Sequence, residues 1–326
     1  MINIYAFWDD NVDVDKRILG NKGYNLFKMF QNGIAVPLGF VIPVPICRNY
    51  YHEEKRMSCQ AKELVKSKCA ELAKVTGKEF GDLQNPLIIS IRSGAAESMP
   101  GMLDTILNVG ITKKMALQSK HIYILRSYIT FLNEYMYSIY GIPISDSRDN
   151  EENKTVEQYK EIIVNKLNLF HRLMGYEFND SIEIIIEHCI CSVFNSWDKP
   201  EAKLYRKSRS IPDDMFTAVI IQEMKFGNCN YMSGSGVVLT INPITYVEEL
   251  YGEYILNGQG VDVVNGTAET KPIAHLEYEL KNIYVQLLEE IAKIKNIYSN
   301  PQDIEFTFEN GKLYILQTRD ARLAMK

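Results

Sequence analysis

The sequence has few of the residues that mark several common classes of protein. Its six cysteines show neither Cys-x-x-Cys nor Cys-x-x-His spacing, which argues against a zinc site, and they are too sparse for a secreted disulfide framework. No run reaches the roughly 18–20 apolar residues that cross a bilayer. The N-terminus lacks a basic segment followed by an apolar core, so it does not resemble a signal peptide. We therefore predict a cytoplasmic protein with no membrane partner.

The chain also lacks an excess of positive charge. The chain of 326 residues has 36 Lys and Arg against 41 Asp and Glu, a formal net charge of −5. Binding of duplex nucleic acid needs a concentrated basic face, so we predict no nucleic-acid partner. The 46% hydrophobic and 24% charged fractions are those of a globular protein and exclude a disordered or fibrous chain. At about 100–200 residues per domain, the length predicts two or three structural units.

Periodicity of the apolar residues predicts an α+β fold. Patterns typical of strands lie at 87–90, 217–224, 236–241, 303–308 and 312–318. Patterns typical of helices lie at 59–75, 117–140, 155–174, 181–196 and 276–297. The charged stretch 145–155 is predicted to be a solvated loop between helices.

The last two strands form a predicted hairpin whose register depends on its turn. A two-residue turn at Asn310-Gly311 would place Glu305 beside Leu316 and divide the polar side chains between the two faces of the hairpin. A three-residue loop that begins at Glu309, with a bulge at Gly311, would gather them on one face. We predict the three-residue loop, because only this register brings the polar groups together. The shared polar face would then contain Asp303, Glu305, Gln317 and Arg319, and the apolar face Ile304, Phe306, Phe308, Tyr314 and Leu316.

Such a set of side chains suits phosphate chemistry. Magnesium prefers hard oxygen ligands together with substrate phosphates, which makes Asp303, Glu305 and Gln317 candidate metal ligands. A guanidinium alongside, that of Arg319, would neutralise a phosphoryl group in transfer. The alternative is the solvent-facing side of an ordinary half-exposed hairpin.

A second candidate for phosphate binding follows the strand pattern at 87–90. Arg92 leads into residues 93–105, which contain Gly94, Pro100 and Gly101. Glycines allow backbone N–H groups to approach phosphate oxygens, and a nearby arginine adds a charge-assisted anchor. The segment is neither a Walker A loop nor a Gly-x-Gly-x-x-Gly motif. Loops with Gly and Pro are usually ordinary turns, so by itself the segment favours a nucleotide only weakly.

Four segments together resemble the nucleotide-binding domain of the pyruvate, phosphate dikinase and phosphoenolpyruvate synthase family. They are Gly-Asn-Lys-Gly-Tyr-Asn-Leu at 20–26, the loop at 91–105, Leu-Tyr-Gly-Glu-Tyr-Ile-Leu-Asn-Gly-Gln-Gly at 250–260, and Asp-Ile-Glu-Phe-Thr at 303–307 with Leu-Gln-Thr-Arg at 316–319. They occur in the family's order and at similar spacing, and the resemblance extends from about residue 5 to about residue 322. The Ser-Met-Pro-Gly-Met-x-Asp-Thr loop is similar to the dikinase version.

The resemblance implies an ATP-grasp fold, in which two α+β lobes clamp a nucleotide and a helical insertion lies between them. The expected cofactors are ATP and Mg²⁺. We expect residues 1–110 to form the N-terminal lobe with the phosphate loop and residues 111–210 the helical insertion and connecting region. Residues 211–326 would form the C-terminal lobe with the metal-site hairpin.

The resemblance also assigns roles to residues of the two candidate regions. Lys22, Arg92 and Arg319 would contact the phosphates and act in catalysis. Gly101 and Thr105 would belong to a mobile loop that closes over the nucleotide. The hairpin residues match the family's metal-linked positions, which favours a functional polar face over an ordinary one.

The base of the nucleotide is expected beside the strand at 217–224. Gln222, Glu223 and Met224 are the candidates there, and Thr240 is a further nucleotide-binding candidate. Thr240 could instead be an ordinary strand residue, since threonine favours strands, and Lys22 could be an exposed lysine at the start of a helix. Glu253 and Gln259, in the segment 250–260, could contact the nucleotide or support the loop.

The chain departs from the family pattern at two arginines. Ile241 replaces the arginine of the family's Thr-Arg-Asn-Pro motif, and Asn195 replaces the arginine of its Phe-Arg-Ser-Trp motif. The expected cleft therefore has fewer positive groups near it. None of the five histidines lies in the Thr-Ser-His-Ala-type motif of a phosphohistidine domain. We therefore expect the phosphorylated histidine to lie on another domain or protein.

Three functions are compatible with these patterns. The leading hypothesis is an ATP-dependent phosphotransferase that passes a (pyro)phosphoryl group from Mg-ATP to a phosphohistidine domain or protein in trans. A second is a free-standing ATP-grasp kinase or ligase with a small-molecule acceptor, which the two missing arginines favour. A third is a binding module without chemistry, against which the complete set of charged candidates argues.

Overall fold

The structure, a computed structural model, describes residues 3–10, 15–143, 154–264 and 269–321. It contains helices and two five-stranded sheets in which all paired strands are antiparallel. This confirms a mixed α and β architecture. Most of the predicted loop at 145–155 lies outside the described residues. None of the helices within the described ranges is both long and apolar enough to cross a membrane.

The chain divides into two compact units. Among the described residues, the first unit contains 39–224 with the short pieces 3–6 and 15–21, and the second contains 225–321 with 7–10 and 22–38. Helix α1 (Lys16–Gln31) therefore begins in one unit and continues in the other. The division into 1–110, 111–210 and 211–326 was based on motifs and not on contacts, and it stays a prediction.

The first unit is built on a sheet in the order β1-β2-β5-β3-β4. Its strands are β1 (Tyr5–Ala6), β2 (Gly39–Ile42), β3 (Ile89–Ala95), β4 (Thr105–Val109) and β5 (Thr217–Glu223). Its further helices are α2 (Val44–His52), α3 (Cys59–Thr76), α4 (Lys113–Gln118), α5 (Ile122–Tyr140), α6 (Val156–Met174), α7 (Ile182–Ser196) and α8 (Pro200–Arg209). The middle strand β5 is buried at every position, which accounts for its continuous apolar run.

Local signals explain why several predicted helices have nearly the predicted bounds. Ser58 caps the start of α3 by accepting a hydrogen bond from the amide of Ala61, and the helix ends at Gly77 in the left-handed conformation. Helix α6 starts with a capping box at Thr155 and also ends at a left-handed glycine. The helix predicted at 117–140 is interrupted at Ser119, which ends α4 before α5 begins.

The second unit is built on a sheet in the order β10-β9-β6-β7-β8. Its strands are β6 (Gly234–Leu239), β7 (Tyr251–Leu256), β8 (Lys271–Pro272), β9 (Gln302–Glu309) and β10 (Lys312–Asp320). Its helices besides part of α1 are α9 (Gly260–Val264), α10 (Leu276–Glu279) and α11 (Lys281–Ile297). The single helix predicted at 276–297 is thus divided at Leu280, whose φ of −141° is extended.

The turn of the β9–β10 hairpin differs from the prediction. Asn310 and Gly311 have φ values of 52° and 80°, and Lys312 pairs directly with Glu309. This is the two-residue turn that Asn-Gly sequences favour, because both central residues need positive φ. The predicted three-residue loop is therefore wrong.

A bulge later in the hairpin nevertheless brings the polar residues together. The register shifts between Ile315 and Gln317, so that Leu316 is the extra residue. Beyond it Gln317 pairs with Glu305, and Arg319 pairs with Asp303. The predicted shared polar face is confirmed, although the cause is a bulge and not the turn. The predicted apolar face needs correction: Leu313 and Ile315 pair with Phe308 and Phe306, whereas Tyr314 pairs with Thr307 on the polar side and Leu316 is the bulged residue.

Candidate functional site

Paired polar side chains cover one face of the β9–β10 hairpin in the second unit. The Gln317 Nε2 donates to Glu305 Oε1 at 3.4 Å. The Arg319 guanidinium donates to Asp303 Oδ2 from Nε at 2.9 Å and approaches it with Nη2 at 2.8 Å. The side chains of Asp303 and Arg319 are 22% and 39% exposed. We call these four residues the polar face. It is accessible from solvent and holds two carboxylates, an amide and a guanidinium.

The polar face continues across the sheet. Val237 on β6 pairs with Glu305 on one side and with Glu253 of β7 on the other, so the three side chains share one face. Glu253 accepts a hydrogen bond from the hydroxyl of Thr270. A cleft of about 570 Å³ lies along this part of the sheet. Its lining includes Val237, Leu239, Tyr251, Glu253, Thr270 and Asp303.

The oxygen atoms of the polar face fit a magnesium ion that is bound partly by the protein and partly by phosphate groups. Among the described residues, no group of three or more His, Cys, Asp or Glu side chains could hold a metal by itself. Asp303 and Glu305 supply carboxylate oxygens and Gln317 an amide oxygen. Magnesium is commonly held by one or two carboxylates, with water and phosphate oxygens completing its octahedron. The residues therefore suit Mg²⁺ bound with a nucleotide better than a dedicated protein cage.

The second part of α1 carries Lys22 into this same unit. Gly20 has non-helical dihedrals, φ 68° and ψ 166°, so a new helical segment begins directly after it, and Lys22 lies in its first turn. Amides in a first turn lack helical acceptors, which makes this a suitable position for a phosphate-binding lysine. Further along, Asn25 donates from Nδ2 to the carbonyl of Thr318 at 3.1 Å. Thr318 lies between two polar-face residues, so Asn25 ties the Lys22 helix to β10.

In the first unit, Arg92 lies near the middle of β3. It pairs with Thr105 of β4 on one side and Ile220 of β5 on the other. Its Nη1 donates to Gln222 Oε1 at 3.4 Å. The structure thus brings three predicted nucleotide-binding residues, Arg92, Thr105 and Gln222, to one region of the sheet. Thr105 is the first residue of β4 and is exposed.

The first motif contacts the beginning of the phosphate-loop candidate. A Cβ at Gly20 would lie 1.6 Å from the carbonyl oxygen of Gly94, so only glycine allows this approach. Both residues belong to the first unit. The two glycine-containing motifs, far apart in sequence, therefore meet backbone to backbone.

The loop itself is shorter than predicted, because β3 continues through Ala95. Met102 N donates to Met99 O at 3.2 Å, which closes a turn with Gly101 at φ 72°. Gly101 is exposed at the tip, and Met99 is buried with Trp197 and Ala202. The loop, which we define as residues 96–104, thus has an exposed tip and an apolar underside.

The remaining base-side candidates are engaged in contacts of their own. Glu223 is 5% exposed and pairs with Lys78 at 2.9 Å. Met224 accepts a hydrogen bond on its sulfur from the amide of Asn108 at 3.0 Å. Their predicted contacts with a nucleotide base stay a prediction.

Thr240 is also engaged in the sheet of the second unit. Its amide donates to Gln302 O at 3.0 Å, and its hydroxyl accepts from Gln302 N at 2.9 Å. These bonds join the end of β6 to the start of β9. This role of the side chain agrees with the alternative that Thr240 is an ordinary residue of the sheet. A nucleotide contact by Thr240 stays a prediction.

Sequence reasoning missed several residues that support the candidates. Asn25 lies within the recognised 20–26 segment, so the sequence marks it as a position of interest. The sequence does not reveal that its partner is Thr318. Ser192, Ser196 and Lys199, which contact Asp104, have no sequence signal that links them to a loop about 90 residues earlier. Only the packing of α7 and α8 reveals them.

Together these features suit a class of protein that binds phosphate groups: one unit has a sheet face with paired carboxylates, and the other has an arginine beside a glycine-containing loop. Residues 57–279 and 268–326 match the family described as pyruvate phosphate dikinase, AMP/ATP-binding domain. The chain belongs to this family.

The curated relatives of the chain include bacterial and plant proteins. It is 35% identical over 339 residues to pyruvate, phosphate dikinase from Clostridium symbiosum and 36% identical over 345 residues to that from Rickettsia conorii, in each case over 98% of the chain. It is 34% identical over 323 residues, 94% of the chain, to the chloroplastic enzyme of Mesembryanthemum crystallinum. The chain spans 38%, 39% and 34% of these three relatives.

Proposed function

We propose that this chain binds Mg-ATP and passes a (pyro)phosphoryl group to a histidine on a phosphohistidine domain or protein. The observation that carries the proposal is the polar face, where Glu305 pairs with Gln317 and Asp303 with Arg319 beside a cleft of about 570 Å³. Membership of a family of ATP-binding domains supports the nucleotide. The relatives are dikinases, which supports transfer of phosphate as the reaction.

Within this proposal the two units are the two lobes of an ATP-grasp fold. Asp303, Glu305 and Gln317 would hold Mg²⁺, which when bound neutralises charge on the phosphate oxygens. Lys22 and Arg319 would contact the same phosphates with fixed positive charge. Preorganised charge of this kind lowers the barrier of phosphoryl transfer, because the reaction depends mainly on positioning and electrostatics.

The first unit would supply the rest of the nucleotide site. Arg92 would contact the phosphates, and the loop with Gly101 at its tip would close over them beside Thr105. Gln222, whose amide contacts Arg92, would lie on the base side. Glu223, Met224 and Thr240 are the further proposed nucleotide contacts. A cytoplasmic location would supply ATP, Mg²⁺ and the acceptor.

The test is transfer of label from ATP to a separate phosphohistidine domain taken from a related dikinase. With ATP labelled in the β or the γ phosphate, we expect both labels on the domain and AMP as the released nucleotide. Arg319→Met should reduce transfer by about 100-fold or more, because it removes positive charge at the reacting group. The control is Lys312→Met, which alters an exposed lysine at the other end of β10. Tight ATP binding without transfer to any phosphohistidine domain would contradict the proposal.

A small-molecule acceptor is the second candidate function. It is favoured by Ile241 and Asn195, which replace arginines of the family pattern, and Asn195 Oδ1 accepts a hydrogen bond from Tyr50 at 3.2 Å. ATP turnover that depends on a small metabolite and needs no partner protein would establish this function. Turnover only with the phosphohistidine domain would exclude it.

A further inference from the structure

The loop at 96–104 is held at its C-terminal end by side chains of α7 and of the α7–α8 junction. Asp104 N donates to Ser196 Oγ at 3.1 Å, and Ser192 Oγ donates to Asp104 Oδ2 at 3.0 Å. Lys199 Nζ lies 2.5 Å from Asp104 Oδ1. Asp104 is thus contacted through its amide and both carboxylate oxygens. We call Asp104, Ser192, Ser196 and Lys199 the clamp.

The clamp adjoins a group of contacting residues, Trp197, Arg206 and Asp213, which we call the platform. Trp197 is 1% exposed, and its indole Nε1 donates to Asp213 O at 2.8 Å. The buried Arg206 donates to Trp197 O at 2.6 Å and lies over the indole ring at 4.2 Å. Arg206 also donates to Asp213 Oδ1 at 2.8 and 2.6 Å. Charge-assisted and aromatic contacts therefore hold the clamp residues next to Trp197 in place.

The tip of the loop is held by much less. Glu97, Ser98, Pro100 and Gly101 are exposed. One long hydrogen bond at 3.4 Å, from Tyr205 OH to Ser98 O, and the buried side chain of Met99 connect this part to the rest of the first unit. The base of the loop is therefore held by several polar contacts, whereas the exposed residues of the tip have few. These exposed residues, and not the buried Met99, are the part that can move at low cost.

We propose that Asp104 and Lys199 are positioning residues that hold the base of this loop while its tip closes on a bound nucleotide. The inference rests on the proposed function. Asp104 directly precedes Thr105, and Thr105 pairs across the ladder with Arg92. A fixed Asp104 therefore keeps the start of β4, and with it Arg92, in register when the tip moves. Neither Asp104 nor Lys199 needs to touch the nucleotide for this role.

Lys199 is the member of the clamp that can be changed with least risk to folding. Its side chain is 37% exposed, whereas that of Asp104 is 14% exposed. Ser192 and Ser196 are buried. Lys199→Met keeps most of the length of the side chain and removes its charged hydrogen-bond donor. Lys199→Arg keeps the charge and should restore the contact.

The matched control is Lys203→Met on α8, the helix that Lys199 directly precedes. Lys203 forms an ion pair with Asp198 at 3.3 Å and is 56% exposed, and neither residue belongs to the clamp. This control removes an equally local ion pair from α8 without touching the loop.

The experiment uses the full chain and two measurements, hydrogen–deuterium exchange of peptides covering 96–107 and calorimetric binding of Mg-ATP. For Lys199→Met we expect exchange at the base of the loop to accelerate about fivefold or more and ATP affinity to fall about three- to tenfold, the range for loss of one ordinary, partly exposed hydrogen bond. Lys199→Arg should recover both values, and Lys203→Met should change neither. In Lys199→Met, ATP affinity should fall, and peptides outside the loop should exchange at the same rate as in the unaltered chain.

The outcomes separate this inference from the proposed function. If the unaltered chain binds ATP but Lys199→Met matches it in loop exchange and in affinity, the positioning role is wrong and the proposed function stands. If the unaltered chain does not bind ATP, the proposed function is wrong, and the exchange data alone decide whether the clamp holds the loop. If Lys203→Met has the same effect as Lys199→Met, a general loss of charge on α8 replaces the clamp as the explanation.

Discussion

The two units hold their polar candidates on different kinds of backbone. In the second unit, Glu305 and Gln317 lie opposite each other in a ladder of paired strands, with β6 on the far side of β9. In the first unit, Arg92 lies on a strand, but Gly101 lies on a loop that only a few side chains hold at its base. The backbone of a ladder is satisfied along its length, whereas a loop depends on individual contacts.

This difference matches what each region is proposed to do. Metal ligands must stay within a few tenths of an ångström of their coordination distance, which a strand pair provides. A loop that closes over a ligand must adopt at least two conformations, and it is therefore drawn from the less stable parts of a structure. The comparison predicts that substitutions on the hairpin alter chemistry without altering the loop, and that substitutions around the loop alter affinity and order first.

Loss of the Glu305 carboxylate on the hairpin is expected to have the largest effect. Glu305→Gln keeps the shape of the side chain and removes the carboxylate charge, so we expect the rate of phosphotransfer to fall on the order of 100- to 1,000-fold. Because the partner Gln317 and the strand ladder remain, the melting temperature should change by less than about 4 °C. Label transfer and thermal denaturation measure the two quantities. A rate within about twofold of the unaltered chain would remove Glu305 from the metal site.

The close approach of Gly20 to Gly94 in the first unit is expected to have the next largest effect. Gly20→Ala would place a methyl group 1.6 Å from the Gly94 carbonyl oxygen at a φ of +68°, and we expect the free energy of unfolding to fall by more than about 3 kcal/mol. The control is Gly33→Ala, which has a φ of +69° and no atom within 4 Å. It should lower the free energy of unfolding by only about 1 kcal/mol. Urea denaturation measures both variants, and equal losses would contradict the close approach.

A smaller effect is expected where α1 joins the second unit. Asn25→Ala leaves the buried Thr318 carbonyl without its 3.1 Å donor, so the free energy of unfolding should fall by about 1–3 kcal/mol. Asn32→Ala, directly after the end of the same helix, is the control, because its side-chain amide donates at 2.8 Å to the Lys28 carbonyl in an exposed hydrogen bond. We expect that change to remain within about 0.5 kcal/mol. If both variants behave alike in urea, Asn25 does not anchor the Lys22 helix to β10.

The smallest expected effect is a dependence of stability on pH that arises in the first unit. Burial lowers the pKa of His188 on α7, whose Nδ1 lies 2.7 Å from the hydroxyl of Tyr135. The unfolded chain, with an ordinary histidine pKa near 6.5, therefore binds more protons than the folded chain just below that pH. Stability from this group is complete above about pH 6.5 and is lost as the pH falls toward the lowered pKa.

The loss should stay below about 1 kcal/mol, because His188 is only about half-buried and solvent screens it. His188→Gln should reduce the difference between urea midpoints measured at about pH 5 and about pH 7.5. His171→Gln, on the neighbouring α6 at an exposed position, should leave that difference in place. An unchanged difference in His188→Gln would assign the acid sensitivity to other groups.

The parts of the fold that could be predicted are those with strong local signals. Ser58 and Gly77 bracket α3 within a residue or two of the prediction, and the apolar run of β5 identifies a buried strand. Helices α2 and α8 and strands β4 and β7 were not predicted. Strand β4 is only five residues long and follows directly on a loop rich in breakers.

The hairpin shows why the site was partly predictable. The set of polar residues and their shared face were predicted, but the turn was not, because with one regular register along the hairpin only a three-residue loop brings the polar residues to one face. Asn310-Gly311 forms the turn that its own chemistry favours, and the bulge at Leu316 then moves Gln317 and Arg319 to the polar side. A bulge depends on how both strands pack against their neighbours, so alternation along a single strand does not reveal it.

The sequence by itself determined the family, the mixed α and β architecture and the identity of the polar candidates, because these depend on residue type, short-range order and periodicity. The tertiary structure alone decided which of them meet. It brought Gly20 against Gly94 and Asn25 onto β10, paired Glu305 with Gln317 across a bulge, and placed Lys199 beside Asp104. Contacts between residues distant in sequence arise from packing of whole elements, and no local pattern encodes which partner a side chain will find.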